Sequence, residues 1–294
     1  MGRLTFPPPL APGDTIAVVA PASPFPRDDF WRGLGWLRDR YRLVAPTAIL
    51  GRHGFLAGDD ASRARVLAAA MTAPGIKAIV AARGGYGAMR ILEALPWEAF
   101  VASPRWIVGF SDITALHVEA ASRGVATVHG PNVTGLGRAD PPIRAAFLRA
   151  LERPTAPVEW VGLQPLREGR AEGVLVGGNL ALVEACAAAR RWRPPPGAIL
   201  VLEDVTERPY RLDRMLTSLR LGGHLANVAG IVLGEFAQCE PGPDGVLARD
   251  VLIERTCDLG IPVVSGAPFG HGARNDAFTL GARARIEGDR VRLG

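Results

Sequence analysis

The chain is poor in cysteine, has no long apolar run and carries no dense basic block, and each shortage closes off a class of function. Cys186, Cys239 and Cys257 are odd in number, widely spaced and outside any CxxC pair. They suggest neither a disulfide framework nor a cysteine zinc site, and they fit a reducing compartment. No apolar stretch approaches the ~18 residues that cross a bilayer, so no membrane partner is expected. The opening MGRLTFPPPLAPGDTIAVVA is broken by prolines, and IAVVA is too short for the core of a secretion signal, so the expected address is the cytoplasm. The net charge of +5 comes from arginines scattered as RYR, RAR, RR and RARAR rather than from one basic block interleaved with aromatics. Nucleic acid is therefore not an expected partner. There is no HExxH and no histidine–carboxylate pair at a helical ligand spacing, so neither metal nor cofactor is expected. Lysine is almost absent beside abundant arginine, alanine, glycine and proline, a bias that carries no functional information.

What is present is a chain of 294 residues, 48% of them hydrophobic, enough for one large α/β domain or two modest ones. Up to about residue 150, short apolar runs alternate with amphipathic stretches, as parallel βαβ units do. The expected strands are 15–20, 76–82, 105–110 and 125–129. Phe30, Leu34 and Leu37 share one helical face after Pro26, and Val66, Ala70 and Met71 share another after Asp60. From 153 to 172 the run PTAPVEW…QPLREGRAEG has no period and reads as a linker. Strands at 198–204 and 228–236 follow, separated by a helix carrying Tyr210, Met215, Leu216 and Leu219. The end alternates around Gly288-Asp289, a hairpin signal. The expected fold is a Rossmann-like parallel-sheet domain over 1–152, a linker over 153–172, and a smaller mixed α/β domain with antiparallel strands over 173–294.

Ligands of open parallel sheets bind beyond the carboxyl ends of the strands, where this chain carries APASPF, RGGYG, SD and HGP. In IVGFSDITALH, Ser111 stands at the bend between a strand and a helix. It can be read as a helix N-cap. It can equally be read as a nucleophile at a sharp elbow whose helix N-terminus offers an amide to an oxyanion, although GxSxG is absent. RGGYG admits three readings. As a dinucleotide fingerprint it places Arg90 where the third glycine belongs. It can be a tight turn needing positive φ. Or its bare amides, Gly84 and Gly85, can face developing negative charge, with Arg83 beside an anionic substrate group.

A serine nucleophile needs a base. His53 and His224 sit in turn-like surface contexts and His117 inside a helix, which leaves His129 at a strand end and the glycine-flanked His271 as equal candidates. The third group of a triad is a carboxylate. Glu203 and Asp204 end an apolar strand, with Glu207 four residues beyond Glu203; the competing reading is a salt bridge to Arg208 or Arg211.

Taken together, LAPGDTIAVVAPASP, ARGGYGAMRILEAL, IVGFSDITALH, HGPNV, VGGNLALV, LEDVTERPYRLDRML and FGHGARN resemble the bacterial muramoyltetrapeptide LD-carboxypeptidases, whose sister branch comprises microcin C immunity peptidases. The resemblance spans nearly the whole chain in the family's order. It implies Ser111 as nucleophile, Glu203 as orienting acid and His271 as base, with His129 left as a pocket or structural residue. It also implies an oxyanion hole from an amide of Gly84 or Gly85 and that of Asp112, and a homodimer. The implied substrate is a muropeptide or other small peptide, cleaved at an L,D-bond to release a terminal D-amino acid. The alternative is an aminoacyl nucleotide-like toxin. One departure stands out: after GGNLALVEA, where relatives often carry a Gly-Thr pair, this chain reads CAAARRWRPPPG.

Overall fold

The structure, a computed structural model, describes residues 4–294. It divides into two compact units. The first comprises the chain up to Pro154 together with Asp276–Thr279, and the second comprises Thr155–Asn275 and Leu280–Gly294.

The strands of the first unit are β1 (Thr15–Val19), β2 (Arg42–Val44), β3 (Ile76–Ala81), β4 (Trp106–Gly109) and β5 (Thr127–His129). All neighbours among them are parallel, in the order β5-β4-β3-β1-β2. Runs such as TIAVV and WIVG are buried almost throughout, as strands covered on both faces must be. Helices Arg27–Arg38 and Asp60–Thr72 accompany this sheet. In the first of them Phe30 and Leu37 are buried as expected, while Leu34 is half-buried. In the second the buried stripe runs through Ala64, Leu67, Ala70 and Met71, one position round from the expected Val66.

The second unit holds β6 (Val158–Trp160), β7 (Gln164–Arg167), β8 (Arg170–Asn179), β9 (Ile199–Val205), β10 (Gly230–Ala237) and β11 (Val263–Ser265). After β12 (Phe278–Leu280) come β13 (Arg283–Glu287) and β14 (Arg290–Leu293), the hairpin turning at Gly288-Asp289. Its mixed sheet runs β6-β14-β13-β8-β9-β10-β11-β7, parallel from β8 to β11 and antiparallel towards both edges. The protein is therefore an α/β fold with one mostly parallel and one mixed sheet.

Two expectations change. Residues 153–172 are not a bare linker: they contain β6, β7 and the start of β8. Strands of three and four residues are too short to show a period, and β7 carries Pro165, which an edge strand tolerates. The segment 276–279, expected in the second domain, belongs to the first unit, where β12 adds to the sheet beside β5. Phe278 stacks on His129 with centroids 5.0 Å apart, and Gly130 packs so tightly on Ala277 that an added Cβ would lie 2.6 Å from the alanine's own.

Candidate active site

In the first unit the strand order reverses between β1 and β3, the point at which open α/β sheets bind their ligands. Ser23 follows β1, Arg83–Gly87 follows β3, and Ser111 follows β4. Ser111 adopts φ 64°, a left-handed conformation that side-chain-bearing residues avoid, and opens a short 3-10 turn ahead of helix Thr114–Ser122. The N-caps of these two segments are Phe110 and Ile113, and neither is made by a side chain. The capping reading of Ser111 therefore falls. What remains is a strained bend between strand and helix, the backbone form that the elbow reading expects.

The glycine turn is built around this bend. A Cβ on Gly84 would come within 2.8 Å of Ser111 Cβ and 3.0 Å of its Oγ, so only glycine lets the backbone lie against the serine. Gly85, at φ 103°, likewise leaves room for Ser23, whose Oγ accepts a hydrogen bond from the Tyr86 N–H at 3.0 Å. Ser23 lies in APASPF, the segment that follows β1, where sequence pattern alone assigns it no role. Asp112 is buried, and its Oδ2 accepts the Ala88 N–H at 2.7 Å, tying the end of the glycine turn to the serine bend. Burial pushes its carboxyl above the ordinary range, against the hydrogen bonds from the backbone of Ala88 and Gly87. The segment after Gly87, Ala88–Ala94, is a 3-10 helix, which does not make a dinucleotide helix N-terminus.

His129 is fully buried against Phe278 and Phe110. Of the two roles expected for it, pocket or structural, this packing fits the structural one. His117 is also fully buried, with Nε2 2.9 Å from the Gly109 carbonyl, and burial pushes its pKa down to about 4. Arg83 is exposed and uses Nη1 to donate to the Pro24 carbonyl at 2.7 Å, leaving the rest of its fork available.

In the second unit, His271 Nδ1 lies 2.7 Å from Glu203 Oε2; the carboxylate is fully buried and the imidazole side chain 18% exposed. Burial alone would lower the imidazole pKa, but the hydrogen bond and charge of Glu203 outweigh it and leave His271 above its ordinary value. Of the two flanking glycines, Gly270 is required by its backbone, while the clash at Gly272 is only with a movable side-chain end. Gly270 sits at φ 126° against Glu203, and a Cβ on Gly272 would overlap the Glu235 carboxylate. Phe269 holds this loop along β10 by accepting the Glu235 N–H at 2.9 Å.

Asp204, the second acid of the pair, points elsewhere. It accepts Asn179 Nδ2 at 2.9 Å, the Ala181 N–H at 3.0 Å and the Val205 N–H at 2.8 Å. Burial pushes its carboxyl up to about 6. Asn179 also caps helix Leu180–Ala188, so Asp204 fixes the helix start to the strand that carries Glu203. The salt-bridge reading of these acids fails: Arg211 pairs with Glu207 at 3.0 Å, and Arg208 donates to the Glu240 and Pro241 carbonyls. That pairing also removes Glu207 as an orienting acid.

Residues 16–130 match the model of the LD-carboxypeptidase N-terminal domain and residues 172–286 that of the C-terminal domain. A Streptomyces coelicolor protein with a carboxypeptidase name is 43% identical, covering 98% of this chain and 95% of its own. The murein tetrapeptide carboxypeptidase of Pseudomonas aeruginosa is 34% identical, with 94% of each chain covered. Among solved structures, the muramoyltetrapeptide carboxypeptidase of Oxalobacter formigenes superposes with a TM-score of 0.85 at 30% identity, over 95% of this chain and 97% of that one. With both domain models matched and these relatives spanning nearly its whole length, the chain belongs to the LD-carboxypeptidase family of serine peptidases.

Proposed function

We propose that this protein hydrolyses the L,D-peptide bond of murein tetrapeptides, releasing the terminal D-alanine for cell-wall recycling, with Ser111, His271 and Glu203 as its triad. His271 takes the proton of Ser111 as the hydroxyl attacks the carbonyl of the L-configured residue, then returns it to the departing amine. Water hydrolyses the acyl-enzyme by the same route. Glu203 fixes the imidazole tautomer and stabilises its charged form. Amides of Asp112 and of Gly84 or Gly85 meet the oxyanion, and Arg83 receives the substrate's terminal carboxylate. No metal takes part, and the protein acts as a cytoplasmic homodimer.

The observation that supports this reading best is the 2.7 Å Glu203–His271 hydrogen bond, the geometry an oriented catalytic base would have. The tetrapeptide substrate is supported by the 34% identity to the Pseudomonas aeruginosa enzyme. Incubation with a muramoyl tetrapeptide should release D-alanine, read by mass spectrometry, at a rate unaffected by chelator. Chelator-sensitive release would contradict a serine mechanism. The Escherichia coli microcin C7 self-immunity protein is 26% identical, so an aminoacyl sulfamoyl-adenosine is the second substrate to try. Its hydrolysis without D-alanine release would reassign the specificity to the immunity branch.

A further inference from the structure

The departure at CAAARRWRPPPG lines a cavity of about 570 Å³ that lies wholly within the second unit and holds none of the triad residues. Helices Leu180–Ala188 and Pro209–Leu221 both end at it. Its walls include Arg190, Arg191, Trp192, Arg193, Ser218 and His224, and no lining residue is acidic. The volume suits a small molecule better than a lone ion.

Two of these arginines, Arg190 and Arg193, have no counter-charge among the described residues. On helix Pro209–Leu221, by contrast, Arg211 and Arg220 are paired with Glu207 and Asp258. Among the described residues, neither Arg190 nor Arg193 makes an ion pair, and Arg193 gives a single hydrogen bond, to the Gly222 carbonyl at 3.4 Å. Ser218, on the cavity wall, donates its hydroxyl to Glu184 at 2.7 Å. Arg190 keeps its side chain at φ 58°, just past a helix end where glycine is the relaxed choice. The His224 ring lies so close to Gly222 that an added Cβ would stand 2.6 Å from it, and its buried Nδ1 has no hydrogen-bond partner among the described residues. Trp192, buried at the wall, adds an apolar surface.

We propose that this cavity is a second ligand site, for a small organic phosphate. Arg190 and Arg193, which make no ion pair among the described residues, line one space together with the His224 imidazole. That suits a tetrahedral dianion, which accepts from several directions, better than a planar carboxylate served by one fork. The site is independent of the triad assignment.

Isothermal titration of the full chain with pyrophosphate, and with citrate as the carboxylate counterpart, tests it. The expected result is saturable 1:1 pyrophosphate binding that weakens on the order of 10-fold or more in Arg190→Gln/Arg193→Gln and exceeds citrate binding. Gly222→Ala, which displaces the His224 ring but leaves the arginines, should weaken it also, and provides a second route if the double variant does not fold. D-alanine release, or whatever turnover the wild type shows, should persist in all variants. No saturable pyrophosphate binding, binding unchanged in both variants, or tighter binding of citrate would overturn the proposal.

Discussion

The two units prepare their reactive groups by different means. In the first, preparation is in the backbone: Ser111 is held at φ 64°, and Gly84 presses against it where no other residue fits. In the second, preparation is in the side chains: a fully buried Glu203 grips His271, while Asp204 and Asn179 lock the strand that carries the acid. Backbone strain fails by crowding and side-chain networks fail by loss of partners, so substitutions in the two regions should leave different signatures.

The largest difference should come from Glu203→Gln, which keeps the shape of the acid and removes its charge. By analogy with carboxylate-to-amide changes in serine triads, kcat should fall on the order of 10⁴-fold. The pH profile sharpens the point. His271 acts as a base only when neutral, and its pKa is raised, so wild-type kcat/KM should rise with pH through a value above the ordinary ~6.5 of histidine. Glu203→Gln should move that limb to lower pH. An unmoved limb would mean that another group titrates.

Gly84→Ala tests the backbone side. Its crowding of Ser111 should lower kcat by roughly 10²-fold, the scale of a misplaced oxyanion donor, with little change in KM. Asp204→Ala should act oppositely, as a stability change first. Three hydrogen bonds to a buried carboxyl are lost, and urea unfolding should report about 2–3 kcal/mol. Smallest is Arg83→Lys, which should raise KM several-fold with kcat nearly intact if the guanidinium forks a carboxylate. Equal effects of Gly84→Ala and Asp204→Ala on stability and kcat would erase the contrast between the units.

The sequence pattern reveals much of this because strands, glycine turns and strand-end acids are local signals. The run IVGFSDITALH shows a serine at a bend, but an N-cap and an elbow share that pattern; the identity of the capping residues and the left-handed φ separate them. His129 at a strand end and His271 between two loop glycines are equal candidates for the base by pattern, but in the structure His129 is fully buried and His271 partly exposed. β6 and β7 are invisible in sequence because strands of three and four residues at a sheet edge owe their existence to distant partners, β14 and β11. Asp204 is legible only as one of two acids; its division of labour with Glu203 follows from side chains on opposite faces of β9, one meeting a helix N-terminus and the other an imidazole.

The central claim is that Ser111 is the nucleophile, and the most direct measurement is covalent labelling with a fluorophosphonate followed by peptide mass spectrometry. A single adduct on the peptide containing Ser111 is predicted, absent in Ser111→Ala and strongly slowed in His271→Ala, with the circular dichroism of Ser111→Ala unchanged. An adduct on another residue, or D-alanine release by Ser111→Ala at the wild-type rate, would contradict it.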